Sequence, residues 1–244
     1  MISNTLRIAS AMCFIGHGIF GIITKAVWCN YFGVFGVGHD LAYRLMPVVG
    51  SIDILFGVSL LAYPVRAVFA WLVVWGLFTA ALRPLSGEPL AEFFERAGNY
   101  GAPLAFLLYV GRGPWFARVS GGTPSSSLRW CLRIAAFLLL AGHGWLNLLG
   151  KASLVAQYTR FGLGASAAWC VGVFEVVAAV AVLVRPLRGL LFFLFFWKMS
   201  SELWYPRYEV VEWVERGGSY GVLLALALIA PPSRAVRNIA GLAT

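Results

Sequence analysis

The sequence predicts an all-α polytopic membrane protein. It is expected to fold as two tandem four-helix bundles with about eight transmembrane helices, related by a pseudo-two-fold axis along the membrane normal. Composition is the first observation, because the 244 residues are 60% hydrophobic and only 12% charged, with a mean hydropathy of +0.81. Soluble domains carry about 25% charged residues. Abundant aromatic residues and only four cysteines also exclude disordered, collagen-like and disulfide-rich secreted chains.

An internal repeat is the second observation. The segments Leu6-Arg7-Ile8-Ala9, Gly16-His17-Gly18 and Lys25 recur at one constant offset as Leu132-Arg133-Ile134-Ala135, Gly142-His143-Gly144 and Lys151. Later matches pair Val49-Gly50-x-x-Asp53 with Val171-Gly172-x-x-Glu175, Pro64-x-Arg66 with Pro186-x-Arg188, Trp75 with Trp197, and Pro84 with Pro206. Ordered agreement at rare residue types indicates duplication and fusion. We predict a first repeat over 1–118, a cytoplasmic Gly/Ser/Pro linker over 119–127 and a second repeat over 128–244.

Four apolar segments in each repeat are the third observation. They cover residues 5–25, 45–63, 66–83 and 98–112, then 131–151, 167–184, 188–205 and 218–231. Most have the length that a helix needs to cross a hydrocarbon core of ~30 Å. An even number of crossings per repeat makes the two repeats parallel. Paired Gly/Pro interruptions in mid-span would indicate the discontinuous helices found in carriers, and these segments show none.

Each segment has recognisable ends. The first of each repeat follows Arg7 or Arg133 and closes near a lysine. The second ends at the Pro-x-Arg turn, where the third begins. The fourth follows a Glu-x-x-Glu-Arg segment and opens with glycines, which let the chain turn back toward the bilayer.

Arginines fix the predicted orientation. They flank alternate ends of the apolar segments, away from any acidic residue, at positions 7, 66, 112, 118, 129, 133, 185, 188, 234 and 237. This positive-inside pattern predicts an integral inner-membrane protein with both termini in the cytoplasm. The net charge of +9 is therefore interpreted as membrane anchoring, with the lipid bilayer and other membrane-protein subunits as partners and no nucleic acid.

Ionisable residues occur in mid-membrane. At a rise of ~1.5 Å per residue, His17 and Asp53 lie at one depth in the first repeat, and His143, Glu175 and Lys198 lie together in the second. A charge in hydrocarbon costs about 2.5 to 3.5 kcal/mol on insertion scales, so each needs a partner. We predict pairs of His17 with Asp53, of His143 with Glu175, and of Lys198 with Glu175 or Glu202.

The repeats differ at one informative place, since Lys198 and Glu202 correspond to Gly76 and Ala80. A single active pocket would therefore lie in the second repeat, with His143, Glu175, Lys198 and Glu202 as candidate catalytic or proton-handling residues. The alternative, that these groups only hold helices together, stays open.

The two Glu-x-x-Glu-Arg segments predict a polar cap on the outer face, with metal or substrate binding by their carboxylates as the alternative. In each, carboxylates at i and i+3 share one helix face and the arginine can close a salt bridge. The residues are Glu92, Glu95 and Arg96, and Glu212, Glu215 and Arg216.

Cofactor binding is less defined. His17 and His143 could each offer a ring nitrogen to a haem or a chlorophyll-type pigment, although close helix packing alone explains Gly-His-Gly. The cysteines show no metal-ligand spacing, so no metal site is expected. Whether Cys29 and Cys170 pair stays open.

These residues resemble a known family. The unit has four spans: an arginine opens the first span, which contains Gly-His-Gly and is closed by a lysine, and the second span contains Gly-x-x-Asp or Gly-x-x-Glu and leads to a Pro-x-Arg turn. This pattern is similar to that of DoxX-like membrane proteins. Both repeats show the pattern, so the chain resembles a tandem duplication of that unit. The resemblance implies a four-helix membrane bundle, in some members linked to quinone-dependent oxidoreductases.

Two functions follow as expectations. The first is a non-catalytic accessory or structural subunit of a larger respiratory or photosynthetic redox complex. The second is a quinone-linked oxidoreductase component or a proton-coupled small-solute carrier that uses the mid-membrane His/Glu/Lys cluster of the second repeat. In the first case the chain has no catalytic activity alone.

Overall fold

The computed structural model describes residues 1–119, 121–204 and 209–231, apart from the side chain of Glu209. These residues form α-helices and a 3-10 turn, with no named strand among them. In the first repeat the helices are α1 (Ile2–Ile22), α2 (Trp28–Gly33), α3 (His39–Ala62), α4 (Arg66–Leu85), α5 (Ala91–Glu95) and α6 (Ala97–Val110). In the second they are α7 (Ser126–Leu148), α8 (Ala152–Thr159), α9 (Ala165–Val184), α10 (Arg188–Ser201), α11 (Glu209–Glu215) and α12 (Gly217–Ile229), with the 3-10 turn at Glu202–Trp204.

For the described residues the all-α prediction is confirmed, and five of their helices are long and apolar enough to cross a membrane. These are α1, α3, α4, α7 and α9. A helix lies at each of the other three predicted spans too, but α6, α10 and α12 have only 14, 14 and 13 residues. Pro206, Arg234 and Arg237, on which the repeat and the orientation partly depend, lie outside the described residues.

The core lies between four helices, α1, α6, α7 and α12. α1 and α7 bury more than half of their most apolar stretch, whereas α3, α4 and α9 bury a third or less. Each outer helix packs on its own repeat, α3 on α1 and α9 on α7. The outer helices therefore expose the broad apolar faces that suit contact with lipid.

Glycine permits the close approach of the central helices. α6 and α12 cross at Gly98 and Gly218, where a Cβ added to Gly98 would lie 2.4 Å from the backbone nitrogen of Ser219. The repeats also interlock, because α5 lies against Gly142 of α7 and α11 lies against Gly16 of α1. Each repeat thus contributes a short helix to the packing of the other.

The segment between the repeats folds back over the first. Val65 and Arg118 form an antiparallel bridge, and the amide of Val119 donates to the carbonyl of Pro64 at 2.9 Å. Ser125 caps the N-terminus of α7 by accepting from the amide of Leu128 at 3.1 Å. The second repeat's first helix accordingly begins two residues before the predicted boundary at 128.

Candidate functional site

Each Gly-His-Gly segment joins three helices. In the first repeat, Gly16 admits the backbone of α11, Gly18 admits the backbone of α3, and His17 between them faces α3. His17 Nδ1 lies 2.7 Å from Asp53 Oδ2. In the second repeat His143 Nδ1 contacts Glu175. These are the partners that the depth count along the helices predicts.

The second-repeat cluster is closed. Lys198 Nζ lies 3.1 Å from Glu202 and 3.7 Å from Glu175, and all of these side chains are buried. Trp197 Nε1 donates to the remaining oxygen of Glu175 at 3.2 Å. On the other side of His143, Asn147 contacts the histidine, and the Tyr158 hydroxyl donates to Asn147 at 3.1 Å. Protein groups thus occupy the positions around Glu175 that a ligand would need.

The Glu-x-x-Glu-Arg segments do not form a solvated outer cap. Arg96 Nη1 donates to Glu215 at 2.7 Å, and Arg216 Nη1 donates to Glu95 at 2.5 Å. All four side chains are buried at the crossing of α6 and α12. The expected intrahelical salt bridge is replaced by two reciprocal ion pairs between repeats, because each arginine ends a short helix and faces the opposite repeat.

The first glutamate of each segment is buried as well. Glu92 binds both Arg83, at 3.0 Å, and Lys151 of the second repeat. Glu212 binds Lys25 of the first repeat at 2.7 Å. The two segments therefore join the repeats through six charged side chains, and the predicted outer-face location of these residues at a free surface is wrong.

A further ion pair lies in the loop after α4. Glu88 accepts from Arg83 at 3.0 Å and from the Tyr31 hydroxyl at 2.6 Å. Burial opposes ionisation of Glu88, but the Arg83 guanidinium and the Tyr31 hydrogen bond outweigh it and hold the pKa of this carboxyl below its usual value. The loop is thus fixed by charge where it lines an open space between the repeats.

An aromatic cavity lies in the first repeat, beside His17. Its volume is about 120 Å³, close to the ~150 Å³ of an engineered apolar cavity that binds benzene. Its walls come from α1, α2, α3, α4 and α6 of the first repeat and from α11 of the second, and they include Trp28, Trp75, Thr79 and Asn99. The space therefore fits one six-membered ring. We refer to it as the ring pocket.

The ring pocket combines an apolar rim with polar groups at depth. The rings of Phe35 and Phe78 stack at its rim with centroids 5.9 Å apart, and both are exposed. His17, Arg96 and Glu215 also line it. Buried polar atoms nearby have no hydrogen-bond partner among the described residues, namely Trp75 Nε1 and Asp53 Oδ1. Buried polar atoms are normally satisfied, so these mark a site where a ligand could supply the partner.

A larger polar opening adjoins the ring pocket. It encloses about 800 Å³ between the repeats, and Lys25, Tyr31, Arg83 and Arg96 line both spaces. Glu92, Lys151, Glu212 and Arg216 line it as well. We call this space the vestibule. Water in the vestibule would thus reach the polar end of the ring pocket.

The helix breaks were missed from the sequence. α5 and α6 are interrupted at Arg96, and α11 and α12 are interrupted at the equivalent Arg216. The predicted fourth spans, 98–112 and 218–231, begin after these breaks and correspond to α6 and α12, whereas the short helices α5 and α11 before them were not predicted. The only sequence signal for the breaks is the charged residue in the motif, with no Gly/Pro pair beside it.

Room for a tetrapyrrole is lacking at both histidines. A macrocycle of four pyrrole rings exceeds the ring pocket beside His17, and His143 is buried beneath Glu175 and Asn147. Within the described part of the chain, no group of three or more His, Cys, Asp or Glu side chains could hold a metal ion. Cys29 and Cys170 are both free thiols, one buried and one exposed.

Comparisons with known proteins add no relative. No family model matches the chain, and neither a curated protein nor a solved structure matches it.

Proposed function

We propose that the protein is a DoxX-like integral membrane protein whose first repeat binds the ring of a quinone-type molecule, as a subunit of a larger membrane redox complex. The observation that carries the proposal is the ring pocket, a cavity of one-ring size with an aromatic rim and unpartnered polar atoms at depth. A subunit that only supports its neighbours needs no such cavity. The proposed site therefore lies in the first repeat, whereas the sequence predicts it in the second.

The chemistry of the lining suits a quinone. A flat ring stacks well between aromatic side chains, and its carbonyl oxygens need hydrogen-bond donors. Trp75 Nε1, His17 and the Arg96 guanidinium are donors in or beside the cavity. The exposed Phe35 and Phe78 at the rim favour entry of an apolar tail from the lipid.

Eight crossings are part of the same proposal. α5 and α6 together cover residues 91–110, which at ~1.5 Å per residue gives about 30 Å, the thickness of a hydrocarbon core. The equivalent α11 and α12 would complete the second repeat. The parallel repeats, the pseudo-two-fold axis and the inner-membrane location with cytoplasmic termini are inferred on this basis, and the rest of the complex would supply or accept electrons.

The binding test uses purified protein in detergent and decylubiquinone, with quenching of tryptophan fluorescence as the readout. Trp28 and Trp75 line the cavity, so saturable quenching with one equivalent is expected. Thr79→Phe fills the cavity and should weaken binding about tenfold or more, because overpacking a filled site costs roughly 1 to 3 kcal/mol.

The matched control places the same ring on the lipid-facing side of the same helix. Val74 is 61% exposed, so Val74→Phe should bind as the wild type does. Linear, non-saturable quenching in the wild type, or equal binding by the Thr79→Phe variant, would reject the proposal.

One observation favours a second candidate function, a small-solute carrier. Helices interrupted at corresponding positions of two repeats are typical of transporter binding sites, and the breaks at Arg96 and Arg216 lie under the vestibule. The quinone titration separates the two functions, because a carrier for polar solutes would give no saturable quinone signal.

A further inference from the structure

We propose that the second repeat contains a latent copy of the ring pocket, closed by Lys198, Glu202 and Trp204. The first repeat then holds the ligand site, and in the second repeat protein side chains fill the equivalent space. The inference rests on the proposed function for the identity of the ligand. It rests on the internal repeat for the position of the site.

The pocket-lining residues have counterparts in the second repeat at the offsets of the repeat. His17 corresponds to His143, and Trp75 to Trp197. Phe35 corresponds to Phe161, and Thr79 to Ser201. The histidine keeps its carboxylate partner in both repeats. The framework of a second ring site is therefore present.

Three substitutions between the repeats account for the closure. Gly76 and Ala80 of the first repeat are replaced by Lys198 and Glu202, and Leu82 is replaced by Trp204. Lys198 bridges Glu175 and Glu202. Glu202 also lies 3.7 Å from the Arg216 guanidinium, which connects the closed cluster to the central ion pairs.

Aromatic packing closes the remaining side. Trp204 contacts Trp197 edge-on, with centroids 5.7 Å apart, and contacts Phe161 at 5.3 Å. In the first repeat the rim ring of Phe35 stacks on Phe78, which α4 carries, and the counterpart of Phe78 is Ser200. The second repeat thus fills with protein rings the space that a ligand ring would take.

Hydrogen bonding also distinguishes the closed second repeat from the open first repeat. Trp197 Nε1 donates to Glu175, while the equivalent Trp75 Nε1 has no partner in the described residues. The equivalent Asp53 is one methylene shorter than Glu175, and its Oδ1 likewise has no hydrogen-bond partner among the described residues. The same tryptophan is a structural donor in one repeat and a ligand donor in the other.

The first test measures the latent cavity without any quinone. In a background where the four native cysteines are serine, Thr79→Cys and Ser201→Cys report the two equivalent positions. A small methanethiosulfonate reagent should label Thr79→Cys readily and Ser201→Cys slowly. Adding Lys198→Gly with Glu202→Ala, which removes one charge of each sign, should speed labelling at position 201 about tenfold, since thiol reactivity follows access.

The second test measures ligand number. Decylubiquinone should bind with one equivalent to the wild type and with two to the Lys198→Gly/Glu202→Ala variant, or to that variant with Trp204→Leu added. The first-repeat site reports in each case that the protein is folded. With Thr79→Phe added, only the new site should remain.

The outcomes separate the two proposals. Unchanged labelling at position 201 in both opened variants would overturn the latent cavity. Faster labelling without saturable quinone binding in any variant would instead reject the quinone assignment and retain the cavity.

Discussion

At the scale of single residues, the central charges are balanced between repeats. Arg96 pairs with Glu215 and Arg216 pairs with Glu95, and the residues of each pair stand about 120 positions apart in the chain. A buried ion pair contributes little net stability compared with apolar groups of similar size, but removing one partner leaves an uncompensated buried charge. The central pairs therefore define which helices meet, more than they raise stability.

A single and a double substitution at the Arg96–Glu215 pair should therefore change the free energy of unfolding by different amounts. Arg96→Met should lower the free energy of unfolding by about 3 to 5 kcal/mol, because Glu215 is left buried and unpaired. Arg96→Met/Glu215→Met should recover most of that loss. Unfolding in mixed detergent and dodecyl sulfate micelles, followed by circular dichroism, gives the values.

A partly exposed pair provides the control for these substitutions. The Glu88 side chain is 24% exposed and its partner Arg83 also binds Glu92, so Glu88→Gln leaves no buried charge unpaired and should cost about 1 kcal/mol or less. Equal costs for Arg96→Met and Glu88→Gln would mean that burial of the remaining charge does not determine the loss.

At the scale of helices, glycine sets the distances on which the site depends. The Gly98 and Gly218 contact brings Arg96 and Arg216 together, and Gly16 and Gly142 seat the short helices beside the histidines. Small residues at such crossings let backbones approach closely in membrane bundles. The positions of the charged groups thus depend on the glycines at these helix crossings.

A methyl group at the crossing should therefore be costly. Gly98→Ala places a Cβ 2.4 Å from a backbone nitrogen, so we expect a loss of about 3 kcal/mol or more in unfolding free energy, at the upper end for overpacking. Gly189→Ala in α10 is the matched control, because no described residue lies within 4 Å of its added Cβ. That variant should be neutral or stabilised by up to about 1 kcal/mol through helix propensity. Similar stabilities for the two variants would show that the helices are not in contact at Gly98.

Helices and local pairs could be predicted from the sequence, and the pocket could not. Apolar length and the rise per residue placed all eight main helices and aligned His17 with Asp53. The partners of Arg96 and Arg216 lie in the opposite repeat, so no local pattern indicates that these charges are buried. The ring pocket is the space that α2 and α4 leave beside Trp75. Its presence depends on how these helices pack, which residue types alone do not indicate.

At the scale of the whole molecule, the interlocked repeats give one chain two kinds of surface. α3, α4 and α9 present apolar faces, while the vestibule gathers charged side chains between the repeats. The vestibule lies beyond the lysine ends of α1 and α7, opposite the arginine-rich starts of these helices. In the proposed orientation, which follows the positive-inside rule, the vestibule would face the outer side and the segment between repeats would face the cytoplasm.

Labelling of single cysteines tests this orientation. In the background without native cysteines, Ser86→Cys reports the loop after α4, Thr123→Cys reports the segment between repeats, and Asn4→Cys reports the start of α1. A membrane-impermeant maleimide should label position 86 in intact cells and the other two only after permeabilisation. Positions 4 and 123 on one side require an even number of crossings in the first repeat, and 86 and 123 on opposite sides require that α5 and α6 cross together. Labelling of 86 and 123 from the same side would mean that α5 and α6 do not cross, which would leave three crossings and place Asn4 on the opposite side.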